Sequence, residues 1–237
     1  MQKHPGRFSS GTTVKKTEPQ KKPIAVQSGK TGLQKKALQN QFKTLLDNTL
    51  IELKGQSMER KVEIKQAFIA DTSDYAKSFI KTAKPGHDDV FAYRTVWLFD
   101  VGRLDEFLEH VVIAQTLRQQ VMHNPKQTFL DFRDWKIMDW AFDCRNRGES
   151  YEPYLTQVFE SITDWDKKPK KQKEGYWYLK FHQLLESGQD TEELINFGKK
   201  AWSMDAQIKT KLRELFKLRD GSLANWKLYC DEIGVRP

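Results

Sequence analysis

The stretch Asp89–Leu117, DVFAYRTVWLFDVGRLDEFLEHVVIAQTL, decides the fold. Apolar residues recur every three or four positions on both sides of Gly102, and alternation with period two is absent. Asp88 is a natural cap for a first helix running from Val90 to Val101. Gly102 breaks the chain. A second helix follows from Leu104 to Gln120, with Phe107, Leu108, Val111, Val112, Ala114 and Leu117 as its apolar residues. The unit is a helix, a glycine corner and a helix. It has an echo 86 residues later, where Leu184-Leu185-Glu186-Ser187-Gly188 is followed by Glu192 and Leu194. Paired units of this kind predict stacked helical hairpins of tetratricopeptide style.

The same periodicity extends in both directions. A helix is predicted from Leu33 to Lys54, with Leu38, Phe42, Leu45, Leu46, Leu50 and Leu53 on a wide face. Gly55 ends it. Ser57 caps a second long helix, with Glu59 in its first turn, which carries Val62, Phe68, Ile69, Tyr75, Phe79 and Ile80 and stops before Pro85-Gly86. Two helices of over 20 residues joined by three residues make an antiparallel hairpin, suited to oligomerisation or to DNA contact. Thr128–Arg147 is apolar around much of its circumference and is expected at the centre, closed by Gly148. Further helices are predicted at Ser150–Trp165, Gly175–Glu186, Thr191–Trp202, Asp205–Leu218 and Leu223–Glu232. The expected class is all-α. A disordered basic arm (1–36) precedes a long helical hairpin (37–87) and a helical-repeat-like domain (88–237).

Charge divides along the same boundary. The 237 residues hold 40 basic and 32 acidic side chains, a net charge of +8. Residues 1–36 contain nine basic residues and one acid, Glu18, which accounts for the whole excess; the 31 basic and 31 acidic residues beyond cancel. Rich in Pro, Gly, Ser and Thr, the arm cannot bury enough surface to offset its chain entropy. Lysines spaced along such an arm bind phosphates without regard to sequence, by releasing condensed counterions.

Several classes of chemistry find no support. No window approaches the run of apolar residues that a membrane span needs, and no apolar h-region follows Met1, so a cytoplasmic protein is expected. Cys144 and Cys230 are too few for a disulfide scaffold and read as reduced, half-buried thiols. The five histidines His4, His87, His110, His123 and His182 form no metal-binding spacing. A nuclease would draw on Asp131, Asp134, Asp139 and Asp143, but Arg133, Lys136 and Arg147 among them favour a solvated ion-pair stripe. No phosphate-binding glycine loop and no nucleophile elbow occur, and no cofactor is expected. A lysine loop, Lys167-Lys168-Pro169-Lys170-Lys171-Gln172-Lys173, is an auxiliary candidate for DNA or partner contact; Trp177, Phe181 and Leu184 behind it read as a core stripe.

The order of motifs between Leu50 and Asp100 resembles the GpM-type small terminase subunits of temperate myovirus-like phages, a family sometimes labelled terminase endonuclease subunit. The residues that carry it are Leu53-Lys54 with Gln56-Ser57 and Glu59, the Lys61/Lys65 spacing, His87-Asp88-Asp89-Val90, and Val96-Trp97-Leu98-Phe99-Asp100-Val101-Gly102. The family has Gln-Asp-Asp-Val/Ile and a Trp-x-x-Asp-x-Gly-Asp corner at these places, followed by a helix like Leu104–Leu117. Likeness runs over residues 45–155. The chain departs at Phe68-Ile69-Ala70, where the family has Leu-Leu-Pro, at His87 for Gln, and at Arg103-Leu104, so it is a divergent phage or phage-satellite member.

The resemblance implies a DNA-packaging initiator. Such a protein assembles as an oligomeric ring, binds the packaging site (cos site) of double-stranded DNA and hands it to a large terminase subunit bearing the ATPase and nuclease. The DNA-contact candidates in this sequence are Lys15, Lys16, Lys21, Lys22, Lys30, Lys35 and Lys36 of the arm, with Arg60, Lys61 and Lys65 beside the hairpin turn. No catalytic and no metal residue is assigned. The alternatives are a helical-repeat adaptor that binds only protein and a metal-dependent endonuclease subunit.

Overall fold

The computed structural model describes residues 32–122, 124–187, 192–201, 204 and 208, with residues 32–35 described in their backbone alone. Among the described residues there are nine helices and no strand. They are α1 (Gly32–Glu52), α2 (Met58–Asp71), α3 (Ser73–Thr82), α4 (Asp89–Asp100), α5 (Leu104–Thr116), α6 (Phe129–Arg147), α7 (Tyr154–Ser161), α8 (Lys170–Glu186) and α9 (Glu192–Lys200). The described part of the chain is all-helical, as its periodicity predicts. None of the described helices is long and apolar enough to cross a membrane.

α1 buries Phe42 and Leu46, with Leu38, Leu45, Leu50 and Leu53 packed half-buried beside them. Ser57 accepts the Arg60 amide at its Oγ, 3.3 Å, and so caps α2. The single long helix predicted beyond Ser57 is in fact two. At Thr72 the hydroxyl donates back to the Phe68 carbonyl at 2.7 Å, and Ser73 begins α3. A hydroxyl that bonds the carbonyl four residues earlier competes with the helical ladder and bends it.

The glycine corners behave as read. Gly102 stands at φ +76° and Gly148 at +71°, a conformation that costs a Cβ-bearing residue. Each lets the next amide reach back to the end of its helix: Arg103 N to Leu98 O and Glu149 N to Cys144 O, both 2.9 Å. α5 ends earlier than predicted because the Gln119 amide turns back to the Ala114 carbonyl, 2.9 Å. α7 is shorter than the predicted Ser150–Trp165 helix, since a residue before proline is pushed out of the helical region and Pro153 stands at its entry. α8 starts five residues before Gly175, with Pro169 at its head. At Gly175 α8 lies against α6 with no room for a side chain: a Cβ there would lie 2.5 Å from Met138 Sδ. The helices predicted at Asp205–Leu218 and Leu223–Glu232 lie outside the described residues, Ile208 apart, as do residues 1–31.

One hydrophobic cluster runs from Phe42 to Ile208. α4–α5 and α8–α9 are the most closely packed consecutive pairs, joined through α6, which touches α5, α7 and α8. On the other side α4 packs on α1 and α2. These contacts converge on Asp88. Its Oδ1 accepts the Phe91 amide at 2.9 Å and caps α4; its Oδ2 accepts from Tyr75 Oη at 2.5 Å and Gln39 Nε2 at 3.2 Å. Its own amide donates to Gln119 Oε1 at 2.7 Å, and Gln119 Nε2 holds the Gly86 carbonyl at 2.5 Å. Burial and then the hydrogen bond to Asp88 push the Tyr75 hydroxyl far above the ordinary tyrosine range.

A guanidinium and an imidazole lie buried between α4 and α5. Arg94 is 4% exposed and His110 8%. The His110 ring stacks on Phe91 at 5.1 Å. Burial, then the nearby Arg94 charge, lowers the His110 pKa to about 4; Arg103 works in the same direction and Glu106 opposes it. Burial likewise lowers Arg94 to about 10.

Asp88→Ala removes a cap and strands the Tyr75 hydroxyl, so urea denaturation should show a loss of about 3 kcal/mol. Asp88→Asn keeps an acceptor for the cap and should lose about half of that; equal stability of Asp88→Ala and the wild type would contradict the junction. His110 gives a pH signature. Its folded pKa lies below the ordinary histidine value, so stability is fully present above about pH 6.5 and is lost as pH falls toward 4, where only the unfolded chain gains the proton. The wild type should lose roughly 2 kcal/mol more than His110→Phe between pH 7.5 and pH 5; parallel pH profiles would overturn this.

Candidate nucleic-acid interface

The cations proposed from the sequence divide into three groups. Lys15, Lys16, Lys21, Lys22, Lys30 and the side chain of Lys35 lie outside the described residues. Lys36 is exposed near the start of α1. The remaining three flank the α1–α2 turn, and they are not equivalent.

Arg60 is exposed, but its guanidinium is shared between Glu63 Oε2 at 2.8 Å and Glu52 Oε1 at 3.3 Å. Lys61, half-buried, has no ion-pair partner among the described residues. Lys65 lies one helical turn on and reaches Asp100 Oδ2 of α4 at 2.6 Å, with 18% of its side chain exposed. The i, i+4 spacing of Lys61 and Lys65 therefore does not produce a shared free face: one lysine is spent on tying α2 to α4. Around the turn, Ile51 and Met58 are 65% and 71% exposed. The tip of the hairpin thus presents two apolar side chains with Lys61 and Arg60 close behind.

The lysine loop is the second basic feature, and here the structure corrects the sequence reading. Residues 170–173 form the first turn of α8 rather than a loop. Lys168 turns inward: its Nζ lies 2.7 Å from both Asp131 Oδ1 and Asp134 Oδ2. Burial works against this ammonium, but the hydrogen bonds to Asp131 and Asp134 outweigh it and hold its pKa above the usual lysine value. Lys167 is paired with Asp164 at 2.8 Å and Lys170 with Glu174 at 3.6 Å. Phe181 is in the core as predicted, with Trp177 and Leu184 half-buried against it.

The aspartates of α6 are corrected by the same observation. Asp134 is only 1% exposed, held by Arg133 Nη2 at 2.6 Å as well as by Lys168. It is not part of a solvated stripe. Asp131 accepts from Thr128 Oγ1 at 2.7 Å and from Lys168. Burial opposes ionisation of Asp131, and the Lys168 and Thr128 hydrogen bonds outweigh it, keeping the carboxyl below its usual pKa. Lys136, expected to pair with these acids, stands over the rings of Phe99 and Phe132 instead, and Arg147 pairs with Glu149 at 2.7 Å. Asp139 and Asp143 remain exposed on α6. Among the described residues, no group of three or more histidine, cysteine or acidic side chains is arranged to hold a metal ion.

Lys168 as a buried counter-ion was not read from the sequence, because its partners lie 37 and 34 residues away. The burial of Arg94 and of His110, one of the five scattered histidines, was not read from the sequence either. The available signal was position: Arg94 is four residues from Val90 and from Leu98, on the buried side of α4. Cys144 is fully buried rather than half-buried, and burial raises its thiol pKa. Cys230 lies outside the described residues.

Comparison with known proteins agrees with this helical frame. The family model described as phage small terminase subunit matches residues 43–171, which takes in the hairpin, the Asp88 junction, the Gly102 corner, α6 and the start of α8. A "Probable terminase, endonuclease subunit" of Haemophilus phage HP1 (strain HP1c1) is 29% identical over 79 residues, covering 33% of this chain and 28% of that protein. The aligned part is thus about a quarter of the relative's length. No solved structure matches the chain. The family match spans more than half of the chain, which therefore belongs to the phage small terminase subunit family.

Proposed function

We propose that this small terminase subunit recognises the packaging site of phage or phage-satellite double-stranded DNA, assembles as an oligomeric ring in the host cytoplasm, and recruits and regulates a large terminase subunit. The observation that carries the DNA half is the division of charge. The excess of +8 sits in residues 1–36, while the body ties up its own cations: Lys65 with Asp100, Lys168 with Asp131 and Asp134, Arg133 with Asp134.

In this reading the arm lysines Lys15, Lys16, Lys21, Lys22, Lys30, Lys35 and Lys36 supply most of the phosphate contacts, with Lys61 the best-placed cation of the body. Arg60 contributes by giving up Glu52 or Glu63. Lys65 contributes only if it exchanges Asp100 for a phosphate, at the expense of the α2–α4 tie. The exposed Ile51 and Met58 at the hairpin tip support assembly with further copies. In a ring the arms act together, and contacts that are weak singly sum through effective concentration.

A nuclease within this chain is the competing reading, favoured by the printed name of the Haemophilus phage relative. Asp139 and Asp143 are its exposed carboxylates. Mg²⁺- or Mn²⁺-dependent nicking that vanishes in Asp139→Ala or Asp143→Ala would establish it in place of a purely recognising subunit.

The deciding experiment is duplex DNA binding by the full chain as a function of salt. Replacing Lys15, Lys16, Lys21, Lys22 and Lys30 together by Gln should reduce the slope of log affinity against log salt by up to about five, and Lys61→Gln by about one. Lys65→Gln should lower thermal stability more than the slope. An unchanged slope in the arm variant would remove the arm from the interface, and failure of the wild type to retain any duplex at low salt would leave the protein-binding adaptor.

A further inference from the structure

The corner where α6 ends beside α8 carries a cleft whose lining includes none of the candidate DNA-contact residues. It holds about 450 Å³ and is lined by Arg145, Glu149, Tyr151, Glu152, Gln183 and Glu186. Three side-chain atoms from three segments lie buried in its wall without a hydrogen-bond partner: Arg145 Nε, Glu152 Oε1 and Gln183 Oε1.

The groups that bear them are fixed in place. The Arg145 guanidinium lies 5.0 Å from the centre of the Tyr178 ring, with Nη2 3.1 Å from His182 Nδ1. Glu152 Oε2 accepts the Thr156 amide at 3.2 Å. Tyr151, 5% exposed, donates to the Leu179 carbonyl at 3.3 Å. Glu149 is paired with Arg147 at 2.7 Å, whereas Glu186 has no ion pair among the described residues.

The chemistry of the vacant positions selects a ligand. A buried polar atom without a partner is costly, so these three call for complementary groups. The two oxygens call for N–H donors; Arg145 Nε calls for an acceptor. With Glu149 paired to Arg147, Glu152 and Glu186 still outnumber Arg145 in the lining, so the cleft is negative and repels phosphate. A peptide bearing lysine or arginine fits this lining, with its cationic heads against the Glu152 and Glu186 carboxylates. The cleft volume suits one or two such side chains.

We propose that the cleft is a docking site for lysines of this protein's own basic arm, which thereby exchanges between the cleft and DNA. The arm is the segment with the matching charge, +8 against the acidic lining. It also reaches: the 31 residues ahead of α1 span up to about 100 Å when extended, more than twice the breadth of a body of roughly 200 residues. The exchange with DNA rests on the function proposed above; the docking itself does not.

Carbodiimide cross-linking of the full chain, read by mass spectrometry, tests the docking without DNA, because it joins carboxylates to lysines already in contact. Glu149, Glu152 or Glu186 should link to Lys15, Lys16, Lys21 or Lys22 several-fold more often than the exposed acids Asp105, Glu192 and Glu193 do. These links should disappear in high salt and in the double variant Glu152→Gln, Glu186→Gln. Arm lysines linking evenly to all exposed acids, or to none, would overturn the docking. The exchange is tested separately: the double variant should bind duplex DNA about 3- to 5-fold more tightly than wild type. Preferential links to the cleft with unchanged DNA affinity would keep the docking and reject the exchange.

Discussion

The carboxylate of Asp88 stands where the first half of the chain meets the second. One of its oxygens starts α4 by capping it, and the other takes hydrogen bonds from α1 through Gln39 and from α3 through Tyr75. Its backbone amide is held by Gln119, from the segment after α5, which also grips the Gly86 carbonyl. A helix cap alone contributes about 1 kcal/mol. A buried carboxylate needs several donors to offset its desolvation, and this one recruits them from elements up to 49 residues apart. The residue that begins α4 therefore also sets where α1 and α3 lie against it. The α4–α5 hairpin, α6 and α8 then build outward from that fixed point.

A second organising feature is the fate of charge. Lys65, Arg133 and Lys168 look like surface cations in the sequence, yet each is turned into the fold against a carboxylate. The Lys168 contacts to Asp131 and Asp134 fasten the loop before α8 to α6, and Arg133 shares the Asp134 carboxylate from within α6. Buried pairs of this kind contribute little net stability compared with well-packed apolar groups, but removing one partner leaves an uncompensated charge. Among the described residues these cations are neutralised within the fold, while in the sequence the net charge lies in the arm ahead of it.

Helix identity and helix ends were legible because their causes are local. Ser57, Asp88, Thr128 and Gly148 act through atoms within three or four residues, so each could be assigned from its neighbours. The break at Thr72 was not legible, since a threonine inside a helix either keeps to the ladder or bonds back to it, and sequence alone does not choose. The lysine stretch 167–173 read as a free basic loop because its partners come from α6, 34 to 37 residues earlier. The α6 aspartates read as solvated for the same reason. Of the candidate site, the positions of Arg60, Lys61 and Lys65 beside the hairpin turn were legible, but the separation of Lys61 from Lys65 depends on Asp100, which only the packing of α2 on α4 brings near.

Lysine reactivity measures the division between spent and available cations directly. Brief acetylation of the full chain, followed residue by residue with mass spectrometry, should find Lys65 and Lys168 slow in the free protein and Lys36, Lys61 and the arm lysines fast. Duplex DNA should then protect the arm lysines, Lys36 and Lys61 and leave the slow pair unchanged. Fast labelling of Lys65 and Lys168 that DNA suppresses, with the arm lysines indifferent to DNA, would contradict the account.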